Sequence, residues 1–437
     1  MKSLLCSCVL FALALPVQAQ LSDTERRLAD YIDTHHSEAI ALLEEVVNIN
    51  SGTQNFAGVA TVGRVFQARF AALGLETEWI DGSAWNRSGH LRASSLNPSS
   101  DAPHILLIGH LDTVFQIDSP FQRYTDLGNN IASGPGIADM KGGNVIILQA
   151  LSALREAGLL ETMNLTVFLT GDEESTGSGA LQTLARADLV ASARAADIAL
   201  GFENGDGNPA TAIRARRGYA SWELRVQGNP SHSSQIFQEE VGAGAIFEIT
   251  RILNSFYEEL GNEQYLTFNP GVILGGTELE LDSDAGRGSA FGLPNVVAQT
   301  AVARGDLRML YPEQTTRARA TMERIVANNR PGTAAELSFD SGMPPFEDRE
   351  SNRQLLGWFS EVSEDLGHGP VTAVDPSRAG AADISFVSDY IAMAIDGIGM
   401  GGANDHTVNE TGDLKSLRIQ SRRAAVLLHR LSQGSAN

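Results

Sequence analysis

The chain has 437 residues, of which 43% are hydrophobic and 19% are charged, a composition typical of globular proteins. At about 100 to 200 residues per domain, this length predicts two or three domains, each able to bury its own core. The 53 acidic residues outnumber the 32 basic ones, giving a formal net charge of −21. Such a surface repels phosphate backbones and anionic lipid, so we expect no nucleic-acid partner.

The first 19 residues are typical of a secretory signal peptide. A basic residue precedes an apolar stretch over 4–15, and small residues fit a cleavage site after Ala19. The stretch is shorter than the roughly 20 residues that a spanning helix requires, although a permanent anchor is the alternative. We therefore expect a periplasmic or secreted protein with no membrane contact after cleavage. Both cysteines, Cys6 and Cys8, lie in this segment, so any metal site must use histidine and carboxylate ligands.

The pattern of the first half of the chain is that of an α/β sheet. Apolar positions at helical spacing predict helices over 21–49 and 59–73. Short apolar runs then predict strands that are buried on both faces, alternating with helices such as 145–157, whose own apolar run follows two glycines. The predicted strands are 105–108, 165–169 and 198–200.

From residue 216 the pattern changes to that of a smaller α+β unit. Alternating strands are predicted at 219–226 and 296–308, helices at 241–259 and 313–327, and a flexible loop at 282–289. The α/β pattern then resumes, with a helix near 351–366 and an apolar run at 390–396. We expect a mixed, largely parallel sheet flanked by helices, with an inserted α+β lid. The catalytic domain would comprise 20–215 and 344–437, and the lid and dimerisation domain 216–343.

Polar residues follow four of the predicted buried strands. They are His110 with Asp112, the pair Glu173-Glu174, Glu203, and His406 after Asp405. Because the carboxyl ends of strands in an open α/β sheet meet at the binding crevice, we expect these residues to converge. A fifth candidate, Asp139, lies in a glycine-rich segment just before a helix.

Each of these residues alone has a plainer interpretation. A lone histidine after a strand is usually structural, adjacent acids usually begin a solvated helix, and single acids suit turns. Glu173 and Glu174, however, follow an apolar run, where two carboxylates repel each other unless a cation or proton compensates them. Together, two histidines and three carboxylates suit Zn²⁺, Co²⁺ or Mn²⁺. They are enough for two ions about 3.5 to 4 Å apart that activate a bridging water, with one acid left as general base.

These motifs resemble those of the di-zinc exopeptidase and aminoacylase family that includes glutamate carboxypeptidase, succinyl-diaminopimelate desuccinylase and peptidase T. The resemblance covers essentially the whole mature chain and keeps the family's order. The matching segments are Gly109-His110-Leu111-Asp112-Thr113, the stretch 136–143 around Asp139, Thr170 to Glu174, Glu203, and His406 followed by Asn409-Glu410.

The resemblance implies a role for each matching residue. Asp139 would bridge two metal ions, most simply zinc. His110 and Glu203 would complete one ion's ligands, and Glu174 and His406 the other's. Asp112 would orient His110, and Glu173 would be the general base.

Three lid residues carry further implications of the resemblance. His232, in the segment Gly228 to Ser233, resembles the family's histidine loop, which reaches the partner subunit's active site and stabilises the oxyanion. Asn295 and Arg308 resemble a substrate-contacting pair, and Arg308 is the candidate for gripping a free α-carboxylate. Near the domain junction, Arg216-Arg217 would be either the cationic clamp in place of Arg308 or a solvated hinge, and we favour the hinge.

One departure from the family concerns the end of the lid. Glutamate-releasing members carry a second arginine there, whereas this chain has Gly342-Met343-Pro344, so a glutamate preference does not follow. The sequence thus predicts a metallo-carboxypeptidase or amidohydrolase that acts on small peptides or N-acyl amino acids as a lid-to-lid homodimer. The alternatives are an aminopeptidase or dipeptidase of the same family and a non-catalytic binding homologue.

Overall fold

The computed structural model describes residues 21–97, 101–282, 287–340 and 342–434. The expected signal peptide, residues 1–19, lies outside these ranges. Among the described helices, none is both long and apolar enough to span a bilayer.

The central sheet has six strands. In spatial order they are β1 (Glu76–Asp81), β2 (Gly89–Ser95), β6 (Asn164–Thr170), β3 (His104–His110), β7 (Ile198–Gly201) and β16 (Met393–Ile395). Strands β6, β3, β7 and β16 run parallel to one another, whereas β2 is antiparallel to both of its neighbours. The prediction of a mixed, largely parallel sheet flanked by helices is confirmed.

Helices cover both faces of this sheet, which explains the continuous apolar runs of its strands. In β3, Ile105 and Leu107 belong to one apolar core and Leu106 and Ile108 to another. The helices of this part of the chain are α1 (Asp23–Thr34), α2 (His36–Val47), α3 (Phe56–Ala72), α4 (Gly142–Glu156), α5 (Gly179–Arg194), α8 (Glu350–Asp365), α9 (Ile384–Val387) and α10 (Leu414–Ser432). Helices α1, α4 and α10 pack together on one side, and α5 and α9 lie on the other.

Two smaller sheets join distant parts of the catalytic domain. One has the order β17 (Gly402–Ala403), β18 (Thr411–Asp413), β5 (Ile131–Ser133) and β4 (Thr125–Gly128). The other pairs β8 (Thr211–Ala212) with β15 (Thr372–Ala373). Because Asp139 follows β5 and His406 lies between β17 and β18, the first of these sheets brings the two side chains to one place.

The lid is a four-stranded antiparallel sheet with its own apolar core. Its spatial order is β10 (Thr267–Gly276), β13 (Thr300–Met309), β9 (Gly218–Gly228) and β14 (Thr333–Phe339), and α6 (Gly244–Leu260) and α7 (Pro312–Ala327) pack against it. Alternate residues of β9, including Trp222 and Leu224, are buried in that core.

The prediction of a flexible loop over 282–289 is wrong for residues 282 and 287–289, which lie in strands. Residues 287–289 begin β12 (Arg287–Phe291), which pairs with β11 (Glu278–Asp282) as an antiparallel hairpin. The chain enters and leaves the lid at one place, because Arg216 and Phe346 exchange backbone hydrogen bonds of 2.8 and 2.9 Å. The unit built on β9, β10, β13 and β14 is thus inserted in the chain between two segments of the unit that contains the six-stranded sheet.

Candidate metal centre and active site

The carboxyl ends of the parallel strands place three of the predicted ligands and the predicted general base at one edge of the sheet. His110 is the last residue of β3, which lies between β6 and β7. Glu173 and Glu174 form a short 3₁₀ turn just after β6, and Glu203 follows β7. The acidic residues therefore flank His110 from both neighbouring strands.

Asp139 lies between the two histidines. Its Oδ1 is 3.1 Å from His110 Nε2, and its Oδ2 is 3.0 Å from His406 Nε2. Gly143, in the first turn of the helix α4 that follows Asp139, lets this helix approach the chain before Glu203, since a Cβ there would lie 2.0 Å from the carbonyl oxygen of Phe202. The Asp139 turn and the Glu203 loop therefore pack at backbone contact.

The remaining carboxylates divide between the two histidines. Glu203 Oε1 lies 3.5 Å from His110 Nε2, and Glu174 Oε2 lies 3.2 Å from His406 Nε2. His110, Asp139 and Glu174 offer ligand atoms within 4.8 Å of one another, as do Asp139, His406 and the exposed Asp405, which we did not predict as a ligand. Glu203 touches His110 but is not part of either of these compact groups.

The charges of this cluster are not balanced by the protein. Burial, together with neighbouring carboxylates, raises the pKa values of Glu173 and Glu203 well above their usual range and that of Glu174 to about 7. Hydrogen bonds to Asp139 and Glu174 raise the pKa of His406 to about 11. A buried oxygen of Glu174, Oε1, has no hydrogen-bond partner among the residues that the structure describes. Protonation or a bound cation must compensate such a site.

Asp112 holds three parts of the site together. Its fully buried carboxylate accepts hydrogen bonds from the backbone N–H groups of Glu173 and Glu174, at 3.0 and 3.1 Å, and from the Thr53 hydroxyl at 2.6 Å. Its Oδ1 is also 3.4 Å from His110 Nδ1, whose shorter contact, 3.0 Å, is to the Asp112 carbonyl. No motif or periodicity in the sequence pointed to Thr53.

Glu410 holds the backbone of the Asp139 turn through hydrogen bonds. Its carboxylate is fully buried and accepts N–H groups of Gly136, Ala138 and Asp139 at 2.9, 3.0 and 3.2 Å. Burial raises the pKa of Glu410 to about 7 despite these hydrogen bonds. Glu410 was part of the quoted motif, but the motif alone does not indicate this contact.

The interpretation of Arg216 as a solvated hinge residue is wrong. Arg216 is 5% exposed, and its Nε donates to Asp396 at 2.8 Å. Asp396 Oδ1 in turn accepts the Glu203 N–H at 3.4 Å, so the pair supports the Glu203 loop. Arg217 is half-buried and donates to Thr267 in the lid and to the carbonyl of Ser377 in the catalytic domain.

A second buried arginine lies beside the acidic pair. Arg186 is 2% exposed and donates to Asp172 at 2.6 Å and to Asp383 at 2.7 Å, while Thr170 also donates to Asp383. The two carboxylates raise the pKa of Arg186 even though burial lowers it. Its charge is thus already matched and does not neutralise Glu173.

The predicted lid residues lie apart from the cluster within one chain. His232 is exposed, with its Nδ1 2.8 Å from the Ser234 hydroxyl, and Asn295 is exposed beside it, accepting the Ser233 N–H at 2.9 Å. Arg308 pairs with Asp306 at 2.8 Å and lies 5.9 Å from the centre of the Tyr219 ring. Across the described ranges, no hydrogen bond or ion pair joins His232, Asn295 or Arg308 to the predicted metal ligands.

The fold and the histidine–carboxylate cluster define a hydrolase of the α/β metallopeptidase class. Residues 106–430 match the model of Peptidase family M20/M25/M40, and the chain belongs to this family.

Relatives of known sequence and structure agree with this assignment. Carboxypeptidase G2 of Pseudomonas sp. (strain RS-16) is 25% identical over 406 residues, which cover 90% of this chain and 89% of the relative. The fold is similar to that of aminopeptidase PepT from Bacillus cereus ATCC 10987, with a TM-score of 0.70, 17% identity and 91% and 98% of the two chains covered. The Bacillus subtilis YXEP protein, a dinuclear metal-binding peptidase of the M20 family, gives a TM-score of 0.64 at 16% identity over 92% and 99%.

Proposed function

We propose that this protein is a periplasmic or secreted metal-dependent carboxypeptidase or amidohydrolase that cleaves an amide bond next to a residue with a free α-carboxylate. The observation that carries the proposal is the position of Asp139, whose two oxygens face His110 and His406 separately. The similarity to carboxypeptidase G2 along almost the whole chain favours the carboxypeptidase side of the family.

The residues present fit two divalent ions. Glu173, Glu174 and Glu203 have raised pKa values, whereas hydrogen bonds with His110 and His406 hold the pKa of Asp139 below its usual range despite its burial. The nearby buried cations Arg186 and Arg216 already have their own aspartates. His110 and Glu203 would hold one ion and Glu174 and His406 the other, with Asp139 shared. Such ions, zinc with cobalt or manganese as alternatives, would polarise the substrate carbonyl and acidify a bound water.

Glu173 is the group that moves the proton. Its backbone N–H donates to Asp112, and burial raises the pKa of its carboxyl, so that it holds a proton more readily than an ordinary glutamate does. In the proposed reaction, Glu173 accepts the proton of the attacking water and then donates it to the departing amine nitrogen. Asp112 holds the His110 ring and the Glu173 backbone in fixed positions relative to each other.

Substrate recognition is assigned to the lid. Arg308 lies on the same lid sheet as Tyr219, whose pKa is raised by burial and then by the charge of Glu173. A guanidinium near this position can bind a free α-carboxylate through paired hydrogen bonds. Asn295 and His232 would complete the site of a partner subunit in a lid-to-lid homodimer, with His232 stabilising the oxyanion.

The experiment that tests the function combines substrate profiling with two matched variants. N-acyl amino acids, free dipeptides and C-terminally blocked peptides are assayed with Zn²⁺ or Co²⁺. We expect hydrolysis of substrates with a free carboxylate whether or not the amine is blocked. E173Q should lose about 10²- to 10⁴-fold in turnover while retaining its metal, whereas E174Q should lose metal as well. An absolute requirement for a free amine would instead identify an aminopeptidase or dipeptidase, and no hydrolysis of any substrate would indicate a binding homologue.

The dimer is tested by complementation. E173Q and H232A homodimers are each expected to be nearly inactive, but subunit exchange should restore activity in mixed dimers, because one of their sites then has both intact residues. Mixing that restores nothing, in a preparation shown to exchange subunits, would contradict the contribution of His232 from the partner.

A further inference from the structure

A cluster of basic side chains lies where the last helix meets the first two helices and the end of α8. We call it the α10 basic cluster. It consists of Arg418, Arg422 and Arg423 on α10, His36 at the start of α2, and His368 just after α8. None of these residues belongs to the candidate metal centre.

Only one carboxylate faces the three arginines in the described part of the chain. Asp33 Oδ1 lies 3.9 Å from Arg418 Nε, and Asp33 Oδ2 lies 3.9 Å from Arg422 Nη1. Both distances are longer than a hydrogen bond. With neutral histidines the cluster carries a surplus of two positive charges, on a chain whose net charge is −21.

Arg423 is the most unusual member of the cluster. It is 2% exposed and hydrogen-bonded through its Nη atoms to neutral partners, the carbonyl of Pro209 and the side chains of Gln420 and Ser363. Burial lowers the pKa of Arg423 to about 10. By contrast, each of the equally buried Arg186 and Arg216 has an aspartate within 2.8 Å. A buried guanidinium normally has such a counter-charge.

Three buried nitrogens in this cluster lack any hydrogen-bond partner among the described residues. They are Nε of Arg422, Nε of Arg423 and Nε2 of His368. Buried polar atoms in folded proteins are nearly always paired, and unpaired ones call for a water or an ion. Here the unpaired atoms are two guanidinium donors and an imidazole nitrogen that can donate when protonated, all beside surplus positive charge.

We propose that the α10 basic cluster is a binding site for a small multivalent oxyanion of the phosphate or sulfate class. The planar forks of arginines match such oxyanions, and a tetrahedral anion has enough oxygens to accept from several guanidinium groups at once. A bound anion would supply the missing counter-charge of Arg423. It would also join α10 to the α1–α2 corner and to the end of α8.

The site should take up a proton with its anion. Burial, followed by Arg422, Arg423 and Arg418, lowers the pKa of His368 to about 4, opposed only weakly by Asp33. His36 on α2 is likewise held at a lowered pKa by burial and by Arg418. A bound anion offsets the arginine charges, so both imidazoles become easier to protonate. The binding of sulfate, whose own charge does not change in this range, should therefore tighten as the pH falls from 7 towards 5.

The test is calorimetric titration of the metal-loaded enzyme with inorganic phosphate, and separately with sulfate, at constant ionic strength set by chloride. We expect saturable binding with a Kd below about 1 mM, together with a rise in melting temperature that matched chloride does not produce. R422Q should weaken phosphate binding about tenfold or more. D33N should tighten it several-fold, because the substitution removes the one carboxylate that repels the anion.

Controls separate this site from other positively charged positions. R64Q removes an exposed arginine on α3 whose guanidinium donates to the Thr61 hydroxyl, and it should leave binding unchanged. Metal content is measured before and after titration, because phosphate also binds metal ions. The proposal is overturned if R422Q and the wild type bind phosphate equally, or if D33N binds no more tightly. It is also overturned if phosphate raises the melting temperature only at millimolar concentrations and by no more than matched chloride does. If R422Q does not fold, D33N and H368Q carry the same test, with H368Q expected to reduce the pH dependence of sulfate binding, to which His36 also contributes.

Discussion

Replacing Asp112 with asparagine tests the claim that one carboxylate organises the site. In the wild type, Asp112 Oδ2 accepts the Thr53 hydroxyl and the Glu174 N–H, and Oδ1 accepts the Glu173 N–H. Asparagine keeps one acceptor oxygen and puts an NH₂ group where the other oxygen was. Even in the better orientation, the amide then faces the N–H of Glu173 as a second donor.

The size of the effect follows from these contacts. D112N loses one hydrogen bond to a charged acceptor and weakens two more, and a hydrogen bond to a charged group contributes about 1.5 to 3 kcal/mol. We therefore expect a loss of about 2 to 3 kcal/mol in the free energy of unfolding. Because Asp112 also contacts His110, metal affinity should fall about 10- to 100-fold, as is typical when the partner of a metal-binding histidine is removed.

The assay measures metal affinity by competition with a chelator and stability by denaturant unfolding. T53V is the matched control, because it removes the 2.6 Å hydrogen bond to Asp112 without altering the N–H contacts of Glu173 and Glu174. T53V should cost about 1 kcal/mol of stability, less than D112N, and change metal affinity little. The reasoning is refuted if D112N binds metal as tightly as the wild type, or if T53V weakens metal binding as much as D112N does.

Three other predictions follow from buried groups. E410Q should lower metal affinity at least several-fold with a smaller effect on unfolding, since it puts an NH₂ against one of three N–H groups around Asp139, and chelator competition would show this. Glu25 has a lowered pKa because hydrogen bonds from Arg430 and Ser22 outweigh the effect of burial. Its carboxylate stabilises the fold above pH 4.5 and ceases to do so as the pH falls through the lowered pKa. E25Q should therefore unfold about 1 to 2 kcal/mol more easily at pH 7, a gap that closes below pH 4.5 in urea titrations. Metal removal at pH 7 should be accompanied by proton uptake, because the pKa of Glu174 without metal is about 7, and calorimetry in buffers of different ionisation enthalpy measures it.

The strands that carry the site were predictable because each is buried on both faces. The apolar runs at 105–108, 165–169 and 198–200 lie within β3, β6 and β7 and fall short of them by at most two residues at either end. The spacing of apolar residues was less informative about where helices and strands begin and end. The predicted helix over 21–49 is two helices, because the chain leaves helical geometry at His35, where φ is −101° and ψ is 13°. The strand expected from 296 begins at Thr300, since Val296 instead pairs with His232.

The supporting contacts around the site could not be predicted from local patterns. Glu410 accepts N–H groups more than 270 residues away in the chain, and Arg216 meets Asp396 across 180 residues. A buried ion pair of this kind has the same local sequence as a solvated arginine in a hinge, because its burial depends on a partner contributed by a distant strand. Arg216 was misinterpreted for this reason.

The two halves of the candidate metal centre are built differently, and this difference should govern how the ions are retained. His110 ends a central strand, is 1% exposed and is flanked by Glu203 from the neighbouring strand. His406 lies in the loop between β17 and β18, has a side chain that is 54% exposed and adopts a positive φ of 62°. Water and chelators reach the second half more easily, and a loop costs less to displace than a strand paired on both sides. An ion held by His406 and Glu174 should therefore leave first, so stepwise chelation should pass through a one-metal form whose remaining ion depends on His110. Because Asp139 faces both histidines, the loss of the first ion also leaves one of its oxygens without a cation, which couples the two halves despite their different exposure.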